Sequence, residues 1–172
     1  MFAFTPGPPP PHIWVGVSVE DKPRADERIP LLLQTPAAVH FLSVEPMLEI
    51  VNLVSIDGGG GYYFNCLEDR VPFGHYEYKT GINWVICGGE SGPGARPFNL
   101  EWAASLLKQC RAAGVPFFMK QTGANLFCQD CADQNTHFCG KYKPHDRKGG
   151  KPSEWPEALR VREFPAVAMV QP

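Results

Sequence analysis

Asn83-Trp84-Val85-Ile86-Cys87-Gly88-Gly89-Glu90-Ser91-Gly92-Pro93-Gly94, residues 83–94, is the stretch that decides the fold. An apolar run stops abruptly at paired glycines, a carboxylate and a hydroxyl, and a helical pattern follows from Asn99. A strand that is apolar at nearly every position is covered on both faces, which is the condition of a strand inside a parallel sheet. Its sudden polar end is how such a strand finishes at a ligand-facing edge.

Three other stretches read the same way. Ile13–Val19 is β-branched and nearly continuous in apolar character, and it ends in Ser18-Val19-Glu20-Asp21. Val39–Val44 ends in Ser43-Val44-Glu45-Pro46, and Val115–Met119 ends in Lys120-Gln121. Helical signals fill the gaps. Asp21 is placed to cap a helix whose first turn holds Pro23, and Ala25, Ile29, Leu32 and Leu33 repeat at helical spacing. Pro30 is expected to kink or restart that helix. Asn99 caps a second helix with Trp102, Ala103, Leu106, Leu107, Cys110 and Ala113 along one face, and Gly114 marks its stop. The order β-α-β-insertion-β-α-β gives an α/β class with a parallel sheet and right-handed crossovers.

The remaining segments lack this regularity. Residues 1–12 are expected to be a flexible Pro-rich tail, since Pro8 to Pro11 favour polyproline II. Residues 47–56 are apolar with mixed period. Residues 57–81 look like an insertion, with a glycine run at 58–61 and aromatics that suit a β-hairpin or an aromatic-bearing loop. Periodicity fails over 122–150, and the alternation in Leu159–Phe164 suggests a last extended strand.

Composition bounds the function. The chain has 172 residues, 44% apolar, enough for one domain with a real core. A net charge of −2 exerts no general pull toward nucleic acid or anionic membrane. The first residues carry neither a basic nor an apolar signal region, and no apolar run reaches the roughly 20 residues needed to span a bilayer. A cytoplasmic protein with reduced thiols is expected, with Cys87 and Cys110 as buried free thiols.

In parallel α/β folds the carboxyl ends of the strands share one edge, and ligands bind there. The candidate rim is Ser18, Glu20, Ser43, Glu45, Gly88, Gly89, Glu90, Ser91, Arg96 and Lys120. The glycines leave backbone amides open to close approach, and Arg96 can pair with a carboxylate or a phosphate. The competing reading is that these residues cap helices and satisfy one another as ion pairs. No Ser/His/Asp order stands out, and Gly88–Gly94 matches neither dinucleotide nor P-loop spacing. Glu20, Glu45 and Glu90 also suit a divalent cation, which would make a metal-dependent hydrolase.

A second constellation lies downstream. Cys128-Gln129-Asp130-Cys131 is followed by His137, Cys139 and His145. Cys128, Cys131, Cys139 and His145 make a tetrahedral zinc set, with His145 favoured over His137 because His137 stands too close to Cys139. The site would replace a hydrophobic core where none is patterned. Loop thiols and an iron–sulfur site are the alternatives. Lys141, Lys143, Arg147, Lys148 and Lys151 add a modest basic patch, read as a solvated loop that can touch phosphate.

The phrases HIWVGVSVED, RIPLLLQTPAAVHFLSVEPML, INWVICGGESGPGARPF, CRAAGVPFFMKQ and DRKGGKPSEWPEALRVREFP resemble a phage and prophage family of radical-SAM-like proteins, distant relatives of spore photoproduct lyase. The resemblance covers roughly residues 12–56, 82–122 and 146–165. It implies a partial (half) TIM barrel of about four parallel βα units over residues 13–122, with residues 123–172 as a Cys/His loop and C-terminal tail. It also implies S-adenosylmethionine at the rim, facing Ser18, Glu20, Ser43, Glu45, Gly88, Gly89, Glu90 and Lys120. Family members carry three clustered cysteines in an early loop, whereas no cysteine precedes Cys66 here. The chain therefore resembles the C-terminal half and is expected to lack its own iron–sulfur cluster.

Two functions follow as expectations. The first is a radical-SAM-like domain, non-catalytic alone or dependent on a partner, with a polar ligand-binding rim. Its open sheet edges would pair with a separate N-terminal half or in a homodimer. The second is a zinc-stabilised phage interaction module that binds a host protein or nucleic acid, such as an inhibitor of host defence. Neither involves a membrane.

Overall fold

A computed structural model describes residues 10–69, 71–73, 76–78, 80–128, 140–142 and 144–166. Its elements in chain order are β1 (Trp14–Ser18), α1 (Lys22–Leu33), β2 (Val39–Val44), β3 (Ile56–Asp57), β4 (Tyr63–Phe64), β5 (Val71–Phe73) and β6 (Tyr76–Tyr78). Then come β7 (Trp84–Gly88), β8 (Phe98–Asn99), α2 (Leu100–Ala113), β9 (Phe117–Gln121), β10 (Leu126–Cys128) and β11 (Gly140–Tyr142). Two 3-10 turns, Pro152–Glu154 and Glu157–Leu159, follow.

The four apolar stretches form one sheet, ordered β1-β2-β7-β9 and parallel throughout. The register fixes the faces, because residues directly opposite each other on neighbouring strands point the same way. Phe41 lies opposite Gly16 and Trp84, Ser43 opposite Ser18 and Ile86, and Ile86 opposite Phe118. The alternate residues Leu42, Val44, Val85, Cys87, Phe117 and Met119 are fully buried with the apolar faces of both helices. On the face away from the helices Trp84 is the centre of an aromatic cluster. Its ring lies 5.9 Å from those of Trp14, Phe41 and Phe118 and 5.2 Å from that of Phe164. Gly16 makes room for Phe41, whose ring would overlap any Cβ at that position.

Both helices begin at the caps read from sequence, and α2 also ends at the stop read there. Asp21 accepts the Arg24 N–H at 2.8 Å, and Asn99 accepts the Glu101 N–H at 2.9 Å. Gly114 closes α2 in the left-handed conformation at φ 69°. Pro30 neither ends nor restarts α1, which runs on to Leu33. A proline there costs about 3 kcal/mol. Burial of Ile29, Leu32 and Leu33, at about 1.5–3 kcal/mol each, exceeds that cost.

Other segments depart from the sequence reading or refine it. Residues 47–55 are irregular, yet Met47, Val51 and Leu53 are buried in the core. The insertion holds two antiparallel ladders, β3 with β4 and β5 with β6. Residues beyond 122 are not structureless: β10 pairs with β8 in parallel and with β11 antiparallel. The expected strand over Leu159–Phe164 is instead the end of a 3-10 turn and one bridge, Arg162 opposite Phe118. That short piece still closes the outer edge of β9. The Met119 N–H donates to Val161 O at 2.8 Å, and the Glu163 N–H donates to Phe117 O at 2.9 Å. Among the described residues β1 has no neighbour on its outer side. No helix among them is long and apolar enough to cross a membrane.

Candidate functional site

Parallel strands bring their carboxyl ends to one edge, and there the chain forms a cleft of about 420 Å3. Seven of the ten rim residues named from sequence line it: Ser43, Glu45, Gly89, Glu90, Ser91, Arg96 and Lys120. Pro46 and Gln121 complete the lining. Gly88 is not part of the lining and lies against Glu45. Ser18 and Glu20 stand off to the β1 side, where Arg28 donates to Ser18 O at 2.7 Å and to Glu20 Oε2 at 3.0 Å.

Two ion pairs face the cleft. Lys120 Nζ donates to Glu45 Oε2 at 3.0 Å, and the Ser43 hydroxyl donates to the same oxygen at 3.3 Å. Gly88 permits this, because a Cβ on Gly88 would overlap Glu45 Oε1. The sequence separation between β2 and β9 is large, so the Glu45–Lys120 pair exists only when the sheet is assembled. The second pair is local. Arg96 forks onto Glu90, with Nε to Oε2 at 2.8 Å and Nη2 to Oε1 at 3.2 Å, while the Arg96 backbone N–H donates to Oε2 at 2.9 Å. The Arg96 side-chain hydrogen bonds, then its N–H, hold the Glu90 carboxyl below its ordinary value, and Arg96 is raised in return.

The backbone around these groups is tightly set. A Cβ on Gly89 would overlap the Thr122 carbonyl, and Gln121 Nε2 donates to Gly89 O at 2.9 Å. The Ala124 N–H donates to Glu90 O at 2.9 Å. The loop after β9 thus fastens the loop after β7.

This geometry bears on the three chemistries considered from sequence. Each of Glu20, Glu45 and Glu90 is joined to its own cation, so the three carboxylates do not gather around a shared ion. Among the described residues no group of three His, Cys, Asp or Glu side chains is placed to hold a metal. That removes the basis for the hydrolase reading. Cys66, Cys87 and Cys110 are free and buried. Burial raises all three thiols, Cys110 up to about 12, and the Glu45 charge adds to the rise at Cys87. Buried, raised thiols of this kind suit packing in the core better than ligation or nucleophilic attack. Of the zinc set, Cys131 and Cys139 lie outside the described residues, as does His137. Cys128 ends β10 opposite Gly140, and His145 is exposed.

The positions of Pro46 and Gln121 in the cleft went unassigned from sequence, although both sit one residue beyond a named rim residue. The role of Gly88 as the space for Glu45 had no local signal at all, since it depends on the β2–β7 pairing. Residues 2–151 match the model of a family described as Protein of unknown function (DUF5131). The chain belongs to that family. No curated protein and no solved structure matches it. Family membership covers the whole sheet and both rim loops of this DUF5131 protein, and it leaves the ligand to be inferred from the rim itself.

Proposed function

We propose that this DUF5131 protein is a ligand-binding half of a (βα) barrel of the radical-SAM-like type, not catalytic by itself. The support for the barrel reading is strand order. Within this sheet the strands lie side by side in chain order, all are parallel, and the order never reverses. With right-handed crossovers such a sheet carries its helices on one face, as a barrel wall does, whereas a doubly wound sheet reverses.

The observation that carries the ligand reading is the pairing of charges around the cleft. Glu45 beside Lys120 and Glu90 beside Arg96 offer an anion and a cation on each side of one space. A zwitterion can exchange into both pairs without leaving a charge unmatched, which a simple anion or cation cannot. The amino-acid end of S-adenosylmethionine is such a group, so the rim residues fit the cofactor that the family resemblance implies. Bound there, it would supply an activated alkyl sulfonium. Glu45 and Glu90 would receive its ammonium, and Lys120 and Arg96 its carboxylate. Reductive cleavage needs a cluster held by three thiolates in one loop, and Cys66, Cys87 and Cys110 are buried apart from the rim. On this reading the cluster would come from a partner.

Titration calorimetry with S-adenosylmethionine tests this reading. Saturable heat is expected, weakened roughly tenfold in Glu45→Gln, a loss of about 1.4 kcal/mol. Absence of heat at millimolar ligand would sink it.

The zinc reading keeps one supporting observation. The β10–β11 ladder sets Cys128 opposite Gly140, so the chain turns back on itself within the Cys/His segment. Elemental analysis decides it: about one zinc per chain supports the site, and less than about half counts against it.

A further inference from the structure

Beside the rim, and separate from the ligand proposed there, lies a larger cleft of about 670 Å3 between loop 92–95 and loop 144–147. Among the described residues that line it, Arg147 is the one that carries a charge. That guanidinium is exposed and has neither ion pair nor hydrogen bond with any described residue. The same holds for the neighbouring Lys148 ammonium.

The loop that presents them is locked in place. Asp146 spends its carboxylate on the loop backbone, accepting the Gly150 N–H at 2.6 Å and the Lys148 N–H at 3.4 Å. Gly149 O accepts three donors: the Thr122 N–H at 2.9 Å, the Thr122 hydroxyl at 3.2 Å and the indole N–H of buried Trp155 at 2.8 Å. A Cβ on Gly149 would overlap the Thr122 hydroxyl oxygen. Asp146 and Glu154, whose carboxylate accepts the Asp146 N–H at 3.3 Å, keep their charge at this turn, while Arg147 and Lys148 make no ion pair with a described residue.

The opposite wall complements them. Gly92 and Gly94 take φ of 104° and 76°, and nothing stands within 4 Å of where a Cβ would be on either. Their N–H groups have no described protein acceptor. The nearest charges on that wall, Glu90 and Arg96, cancel each other. A glycine loop with unbonded amides and an arginine fork line one cleft, and these are the kinds of group that bind a phosphoryl group. A volume of this size takes a nucleotide-sized molecule rather than a lone ion.

We infer that this cleft binds the phosphate of a nucleotide-sized ligand, with Arg147 as its anchor and the Gly92–Ala95 backbone as its cradle. The phosphate can come from a free nucleotide or from a nucleic-acid end, and competition separates the two. The test is a 1H–15N titration of the full chain with inorganic pyrophosphate, repeated on Arg147→Ala and Arg147→Lys. Saturable shifts are expected at Gly92, Gly94 and loop 146–150. Binding should weaken roughly tenfold in Arg147→Ala and less in Arg147→Lys, with the thermal midpoint unchanged because Arg147 is exposed. A nucleoside triphosphate or a 5′-phosphorylated oligonucleotide should then displace the probe, the stronger competitor naming the source. Shifts that stay linear at millimolar pyrophosphate, or an affinity equal in Arg147→Ala, would overturn the proposal.

Discussion

Two adjacent glycines separate site geometry from stability. Gly88 meets the flexible end of Glu45, and Gly89 meets the Thr122 backbone. In Gly88→Ala the Glu45 carboxylate can swing aside, so chemical denaturation should change by under about 1 kcal/mol while the Glu45–Lys120 pair is lost. In Gly89→Ala no such escape exists, and a loss of about 1–3 kcal/mol is expected. Equal costs for the two variants in urea denaturation would contradict this division. Glu90 provides a pH test at the same scale. Its folded carboxyl is lowered, so its contribution is present above the unfolded value of about 4.3 and is lost as pH falls through the lower folded value. Carboxyl NMR should place its midpoint below the ordinary value, and Arg96→Gln should return it. An ordinary midpoint in the unchanged protein would show that Arg96 does not hold it.

At the scale of elements, legibility followed periodicity. Four apolar strands and two capped helices were readable because burial on both faces, the Asp21 and Asn99 caps and the Gly114 stop are local signals. The clustering of seven rim residues was readable because parallel strands share an edge. What could not be read depends on partners far away in the chain. Phe98 and Leu126 are both buried, yet their strands are only a few residues long and exist through mutual pairing. The alternation over Leu159–Phe164 suggested a full strand, but the 3-10 turn at Glu157–Leu159 leaves room for a single bridge. That bridge still has a job. It satisfies the Phe117 carbonyl and the Met119 N–H at an edge that would otherwise be open. Deleting residues 161–172 should therefore lower the thermal midpoint and promote self-association by light scattering. A truncated protein that stays monomeric with an unchanged midpoint would show that the edge needs no cover.

Across the whole molecule, one sheet divides two environments. Its helix side is a continuous apolar core, and its other side carries the Trp84 cluster below the charged rim. Buried thiols in the core stay protonated, and the charged groups stand at the strand ends in pairs. Exposed ion pairs contribute little to stability, typically between zero and about 1 kcal/mol, so the more exposed Glu90–Arg96 pair is better explained by what it can exchange with than by what it holds together. The central claim is that a zwitterionic ligand enters between them. Amide shift mapping with S-adenosylmethionine tests it most directly. The account predicts saturable shifts concentrated at Gly88, Gly89, Glu90, Arg96 and Lys120. Shifts confined to other parts of the chain, or none at millimolar ligand, would contradict it.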